Sequence, residues 1–100
     1  MQNVDTHTLH SWITSGDVTI VDVRSDEEYA NGHIKECLHL PLDRLEGNIP
    51  DTSQPLVLYC HAGKRSKEAC RIATHYHDDF WNLLGGICEW IADGYPVTKD

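Results

Sequence analysis

The sequence has no apolar run that approaches the length of a membrane span, which is about 18 residues. Its start, MQNVDTHTLHSW, also lacks the basic segment and the apolar segment that make up a secretory signal. We therefore expect no membrane contact and a cytoplasmic location. A periplasmic location is the alternative if a signal peptide has been removed from the chain.

Basic residues are scarce, because 8 lysines and arginines stand against 16 aspartates and glutamates and give a formal net charge of -8. Nucleic-acid-binding proteins need an excess of cations along one face. The composition therefore predicts no nucleic-acid partner. Any site for an anion must be a local positive region on a negative surface.

No C-x-x-C pair occurs among the cysteines, which are Cys37, Cys60, Cys70 and Cys88. Their wide spacing argues against a zinc ribbon, a thioredoxin-like redox pair and a disulfide framework. His75 and His77 lie close together, but no second cluster completes a set of four ligands. We therefore expect no metal site.

Helix-like and strand-like stretches alternate along the 100 residues, which we expect to form a single domain, 1–100. Strands are predicted at 18–24, 37–40, 56–59 and 80–84. Helices are predicted at 6–16 and 25–32, from 66 to 76, and again after the two glycines at 85 and 86. Strands separated by helices predict an α/β protein with a parallel sheet. The strand at 56–59 is continuously apolar, as in a strand buried on both faces.

The stretch CHAGKRS, residues 60–66, follows directly on this apolar strand. In an open parallel sheet, ligands bind outside the carboxyl ends of the strands, and Cys60 lies at such an end. Gly63 is free to adopt a positive φ, so the loop backbone can turn several N–H groups inward. These donors, the start of the next helix and the cations Lys64 and Arg65 all favour a negative charge at the centre of the loop.

Such surroundings stabilise a thiolate and can lower the pKa of a cysteine from about 8.5 to between about 3.5 and 7.5. Cys60 is therefore predicted to be a nucleophile. Two anionic chemistries use a loop of this kind, and loop length separates them. Cysteine phosphatases need five residues between the cysteine and the arginine, whereas four separate Cys60 from Arg65. The smaller cradle suits a single added sulfur atom.

Four further segments surround the loop in a recognisable order, which are VDVRSDEEYANGHI, LHLPLDRL, NLLGGICEW and GYPV. With them, the chain resembles a single-domain rhodanese, a thiosulfate sulfurtransferase, over essentially its whole length. The resemblance implies a rhodanese-like α/β fold with a five-stranded parallel sheet flanked by helices on both faces.

The resemblance also implies a reaction. The loop cysteine of this family accepts sulfane sulfur from a donor such as thiosulfate and holds it as a persulfide. The sulfur then passes to a thiophilic acceptor, which is cyanide in vitro and a thiol or dithiol in vivo, with a thioredoxin-like protein as one candidate. No metal or organic cofactor is needed, because the cysteine itself carries the transferred group.

Carried onto this sequence, the family pattern makes Cys60 the persulfide carrier. Its backbone cradle and the cations that attract the anionic donor belong to the substrate-binding loop, which comprises His61, Ala62, Gly63, Lys64 and Arg65. Three further residues are expected to support the site without taking part in the chemistry, and these are Asp22, Arg24 and Ser66.

The remaining candidates carry alternative interpretations. Cys37, Cys70 and Cys88 each lie in or beside an apolar pattern, which predicts core packing; a resolving role for Cys70 is the alternative. His61 either assists donor binding when protonated or is an exposed side chain without a role. Residues 35–37 read Lys-Glu-Cys where the family often has proline, glycine and alanine, so the sequence does not fix the geometry of this turn.

Two other functions compete with sulfur transfer. One is a cysteine phosphatase or an arsenate-handling relative, which would hydrolyse a chromogenic phosphate ester. The other is a binding or sensor module, in which the same fold docks a partner and Cys60 transfers no sulfur. A fold alone does not decide between such functions.

Overall fold

Strands and helices alternate along residues 2–100, the part of the chain that the computed structural model describes. The strands are β1 (Gln2–Val4), β2 (Thr19–Asp22), β3 (Leu38–His39), β4 (Leu56–Tyr59) and β5 (Phe80–Leu83). The α-helices are α1 (Thr6–Ser15), α2 (Asp26–Ala30), α3 (Lys64–Ala73) and α4 (Gly86–Ala92). A short 3₁₀ turn, Leu42–Arg44, follows β3.

The strands form one five-stranded sheet in the order β1-β5-β4-β2-β3, and every neighbouring pair is parallel. The expected five-stranded parallel sheet is therefore confirmed. All four residues of β4 are 0% exposed, as its continuous apolar sequence predicts for a central strand. This order places the end of β4, and therefore Cys60, in the middle of the carboxyl edge of the sheet.

Helices cover both faces of the sheet, because alternate residues of β4 point into two separate cores. Val57 and Tyr59 pack with Leu9 of α1 and Trp90 of α4. The other two β4 residues, Leu56 and Leu58, pack with the α3 residues Ala69 and Ala73. The α/β class with helices on both faces is confirmed.

Local capping explains where α1 begins and ends and where α2 begins. The Asp5 side chain accepts a hydrogen bond from the Thr8 N–H at 2.7 Å, and Gly16, at φ 73°, ends α1. The capping box predicted for α2 is present, since Ser25 and Glu28 each accept from the other's backbone N–H.

Two features of the fold differ from the sequence prediction. Strand β1 was not predicted, because its three residues QNV carry one buried side chain and show no measurable period. Helix α3 begins at Lys64 rather than Ser66, because Gly63 adopts a left-handed conformation, with φ 101°, and serves as its N-cap. The loop after Cys60 is therefore short, and its second half is the first turn of α3.

The unusual Lys-Glu-Cys turn has a strained backbone. Among residues 2–100, Glu36 is the one non-glycine residue with a positive φ, which is 66°. It occupies the position where the family often has glycine. A left-handed conformation costs a residue with a Cβ about 1–2 kcal/mol, so this chain tolerates a local strain that the usual glycine avoids.

No helix among the described residues is long and apolar enough to cross a membrane.

Replacing Glu36 by glycine is expected to stabilise the protein. Removal of the Cβ relieves about 1–2 kcal/mol of strain, while the freer unfolded chain offsets about 0.5–1 kcal/mol of that gain. Urea unfolding of Glu36→Gly should therefore show a free energy of unfolding higher by about 0.5–1 kcal/mol. The matched control is Glu46→Gly, at an exposed turn without positive φ, which should lower it. Equal losses in both variants would contradict the assignment of strain to Glu36.

Candidate active site

Cys60 lies immediately after β4 and is 1% exposed. The backbone of the following loop turns around its sulfur. The Gly63 N–H points at Sγ, with a distance of 3.1 Å from nitrogen to sulfur. The first turn of α3 completes the ring, so the positive end of that helix dipole also faces the sulfur.

The hydrogen bonds around the sulfur outweigh the cost of its burial. Burial raises the pKa of the Cys60 thiol. Hydrogen bonds to the thiolate from the Ser66 hydroxyl and from the backbone N–H groups of Ser66, Gly63 and Ala62 lower it. The resulting pKa lies below the ordinary value for a cysteine. Because the thiolate is the reactive form of cysteine, the loop favours nucleophilic chemistry at Cys60.

Ser66 connects the sulfur to a chain of buried polar groups. Its Oγ lies 3.4 Å from Cys60 Sγ and also donates to Asn82 Oδ1, and the Asn82 side-chain amide donates to Asn3 Oδ1 at 3.2 Å. A hydroxyl has one proton, so Ser66 cannot donate to Asn82 and to sulfur together. A Cys60 thiol can donate to Ser66 while Ser66 donates to Asn82, whereas a thiolate requires the hydroxyl to turn toward sulfur. Ser66 is therefore a switchable donor within this network.

The carbonyl groups of the loop are bound by the start of α4. The Ile87 N–H donates to the Cys60 carbonyl and the Cys88 N–H donates to the His61 carbonyl, each at 2.9 Å. A Cβ on Gly86 would lie 2.5 Å from both carbonyl oxygens, so this close approach requires glycine. Because these carbonyls are satisfied away from the sulfur, the loop N–H groups are free to face it.

The two loop cations differ in their pairing. Arg65 forms a bidentate ion pair with Glu28 of α2, at 2.6 and 2.7 Å, and this contact holds the pKa of Glu28 at about 2. This pair offsets much of the Arg65 charge, and the expectation that Arg65 attracts the anionic donor stays a prediction. Lys64 is exposed and has no ion-pair partner among residues 2–100.

Asp22 and Arg24 form a buried ion pair at the end of β2, with a shortest distance of 2.8 Å. Arg24 also donates to the Gly32 carbonyl at 2.6 Å and lies over the ring of Tyr59, the residue before Cys60. The Tyr59 hydroxyl in turn accepts from the Ile34 N–H at 3.1 Å. These contacts brace the strand that carries Cys60, and none of them involves its sulfur.

The other three cysteines occupy different environments. Cys70 is buried and Cys37 is partly buried, and burial raises the pKa of Cys70 to about 12 and that of Cys37 to about 11. The prediction that Cys88 packs in the core is wrong, because Cys88 is exposed. Cys88 follows Ile87 on α4. Ile87 and Trp90 lie on the buried face of this helix, and Cys88 does not. Cys88 Sγ instead lies 3.3 Å from Nε2 of His61, which is also exposed.

Asn82 and Asn3 were not predicted from the sequence. Asn82 is 1% exposed in the middle of the apolar strand FWNLL. A polar residue at such a position was the available signal, because buried polar groups require hydrogen-bond partners. The identity of the partners depends on contacts far apart in the chain, so the sequence pattern does not contain it.

A groove of about 430 Å³ opens beside the loop. We call it the α4 groove. His61 and Cys88 line it together with the apolar side chains of Ile87, Ile91 and Val97. Ile91 and Val97 are 54% and 41% exposed, so the groove presents apolar surface to solvent next to the site.

Comparisons with known proteins identify a family for this chain. The model of the rhodanese-like domain matches residues 5–93. A sulfurtransferase of Allochromatium vinosum is 35% identical over 86 residues, which cover 82% of this chain and 79% of the relative. The thiosulfate sulfurtransferase GlpE of Coxiella burnetii is 28% identical over 89 residues, covering 84% and 83% of the two chains. The structure of the human single-domain sulfurtransferase TSTD1 superimposes with a TM-score of 0.85 at 28% identity, covering 92% of this chain and 96% of that one.

Replacing Ser66 by alanine is expected to raise the pKa of Cys60, because the thiolate loses a hydrogen-bond donor. The rate of alkylation by iodoacetamide reports the thiolate fraction. It can be followed on the tryptic peptide 45–64, whose one cysteine is Cys60. In Ser66→Ala the midpoint of the rate against pH should move to higher pH. The control Ser11→Ala, on the exposed side of α1, should leave it unchanged, and an unchanged midpoint in both would exclude Ser66 as a donor.

Replacing Gly86 by alanine is expected to cost more stability than replacing Gly94. Both glycines have a positive φ, so both variants carry a strain of about 1–2 kcal/mol. Only at Gly86 does the new Cβ meet backbone oxygens, at 2.5 Å, whereas at Gly94 it meets nothing within 4 Å. Urea unfolding should show a further loss of about 1–3 kcal/mol in Gly86→Ala. Equal losses would show that the contact between α4 and the loop yields at little cost.

Proposed function

The chain belongs to the family of rhodanese-like domains, and on that premise we propose that it transfers sulfane sulfur through a persulfide on Cys60. The observation that carries the proposal is the donor geometry at Sγ, where the Gly63 N–H points at the sulfur from 3.1 Å and the Ser66 hydroxyl lies 3.4 Å away, able to turn toward it. Such donors stabilise negative charge on the sulfur of Cys60. The sulfurtransferase relatives support the same class of reaction.

The first half of the reaction loads the cysteine. The Cys60 thiolate attacks the outer sulfur of a donor, for which we propose thiosulfate. The S–S bond of thiosulfate breaks and its electron pair leaves with sulfite, while the new bond makes a persulfide anion on Cys60. The loop N–H groups bind this anion, and Lys64 attracts the dianionic donor.

The second half unloads it. A thiolate or cyanide attacks the outer sulfur, the S–S bond of the persulfide breaks, and Cys60 leaves as a thiolate. A thiol of low pKa leaves faster in such an exchange. The donors that lower the pKa of Cys60 therefore assist the release of sulfur as well as its uptake.

The site favours sulfur transfer over phosphate hydrolysis. Four residues separate Cys60 from Arg65, and the Arg65 guanidinium is held by Glu28 in a bidentate pair. A phosphate ester needs a wider ring of donors and an arginine free to bind its oxygens. A purely binding role does not require hydrogen-bond donors that stabilise negative charge on Sγ, whereas sulfur transfer does.

The partners and the location follow from the same chemistry. We propose a small-molecule sulfur donor and a thiol or dithiol acceptor, among which a thioredoxin-like protein is a candidate. All four cysteines are free, which suits a reducing compartment. The cytoplasm is therefore the location we propose.

The protein is expected to form thiocyanate from thiosulfate and cyanide, and Cys60→Ser is expected to abolish that activity. Cys70→Ala, which alters a buried thiol on α3, serves as the matched control and should retain it. A chromogenic phosphate ester should not be hydrolysed by any of the three proteins. A folded but inactive unaltered protein would contradict thiosulfate as donor, and activity in Cys60→Ser would contradict the carrier.

A further inference from the structure

One pair of side chains, a thiol beside an imidazole, takes no part in the proposed loading and unloading of Cys60. Cys88 Sγ and His61 Nε2 are 3.3 Å apart, and both side chains are exposed in the α4 groove. An imidazole in contact with a thiol is the arrangement that generates a cysteine nucleophile. His61 directly follows Cys60 in the chain, so this pair adjoins the proposed sulfur carrier.

Backbone hydrogen bonds fix this pair to the loop. The Ile87 N–H binds the Cys60 carbonyl and the Cys88 N–H binds the His61 carbonyl, each at 2.9 Å. The backbone of Cys88 therefore cannot drift away from the loop unless these bonds break. These bonds hold the backbone of Cys88 against that of His61, the residue next to Cys60.

The two thiols differ in what can reach them. Cys60 is 1% exposed, so very little of its side chain is open to an acceptor. Cys88 is exposed, and the apolar side chains of Ile91 and Val97 beside it offer a surface for the body of an acceptor. Cys37 and Cys70 are excluded from such a role, because burial raises the pKa of both thiols.

We propose that Cys88 is the first acceptor of the sulfane sulfur on Cys60 and presents it to thiol acceptors in the α4 groove. This inference rests on the proposed function. His61 Nε2 takes the proton of the Cys88 thiol. The Cys88 thiolate then attacks the outer sulfur of the Cys60 persulfide. The S–S bond on Cys60 breaks, a new persulfide forms on Cys88, and Cys60 leaves as a thiolate without any external oxidant or reductant.

The loop donors set the direction of this step. They stabilise the departing Cys60 thiolate, because the hydrogen bonds that lower the pKa of this thiol also make it a better leaving group. An external dithiol in the groove then attacks the outer sulfur on Cys88. The resulting persulfide of the dithiol closes to a disulfide and releases hydrogen sulfide, and Cys88 is restored.

Sulfur bound to Cys60 and sulfur bound to Cys88 can be measured separately, because trypsin places the two cysteines in different peptides. Trypsin releases Cys60 in peptide 45–64 and Cys88 in peptide 72–99, each as the one cysteine of its peptide. The full-length protein is mixed with thiosulfate, quenched with iodoacetamide at increasing times, digested and analysed by mass spectrometry. The added mass of one sulfur should appear first on 45–64 and then on 72–99, and dithiothreitol should remove it from 72–99.

Three variants test the assignment. In Cys88→Ser the sulfur should accumulate on 45–64, and its release to dithiothreitol should be lost. In Cys60→Ser no sulfur should reach 72–99. In His61→Asn its arrival on 72–99 should slow by about 100-fold or more, the usual contribution of a general base. Cys70→Ala is the matched control and should follow the time course of the unaltered protein.

The outcomes separate this inference from the proposed function. Sulfur that stays on 45–64 in the unaltered protein and passes from there to dithiothreitol would overturn the role of Cys88 alone. Sulfur on 72–99 in Cys60→Ser would also overturn it, because Cys88 would then load without a relay. An absence of sulfur from both peptides would overturn the proposed function itself, together with this inference.

Discussion

The site depends on where the carbonyl groups of the loop point. A short loop that turns its N–H groups toward a sulfur must turn its C=O groups outward, and each buried C=O then needs a donor. The first N–H groups of α4 meet this need by binding the carbonyls of Cys60 and His61. Gly86 permits the approach, since any side chain there would overlap both oxygens. The helix after β5 is thus part of the site through its backbone N–H groups.

Electrostatics at the site are local rather than global. The chain carries a formal net charge of -8, and the ion pair with Glu28 offsets much of the Arg65 charge. The attraction for an anionic sulfur therefore comes mainly from aligned N–H dipoles at close range. Such dipoles act over a few ångströms and are screened little by salt when buried, whereas the Lys64 side chain acts at longer range and is open to screening.

Much of the fold could be predicted from local patterns. The apolar run 56–59 identified the central strand, Ser25 and Glu28 identified the start of α2, and the position of Cys60 after a buried strand identified the candidate nucleophile. Contacts between residues that are far apart in the sequence could not be predicted from these patterns. Glu28 supplies the predicted capping box and also the unpredicted ion pair with Arg65, because one carboxylate serves both. Cys88 was misjudged because one step along a helix turns a side chain by about 100°, which separates it from the buried Ile87.

Strand β1 gives the edge of the sheet a chemical role. It is three residues long and has one neighbour, β5, so it is held by few hydrogen bonds. Its Asn3 nevertheless orients the side-chain amide of Asn82, which in turn receives the Ser66 hydroxyl beside Cys60. Fraying of this strand would free the Asn82 side chain to rotate. The Ser66 hydroxyl would then lose the fixed acceptor, Asn82 Oδ1, that competes with the Cys60 sulfur for its proton. The pairing of this short edge strand is thereby linked to the acidity of a buried thiol at the carboxyl edge of the sheet.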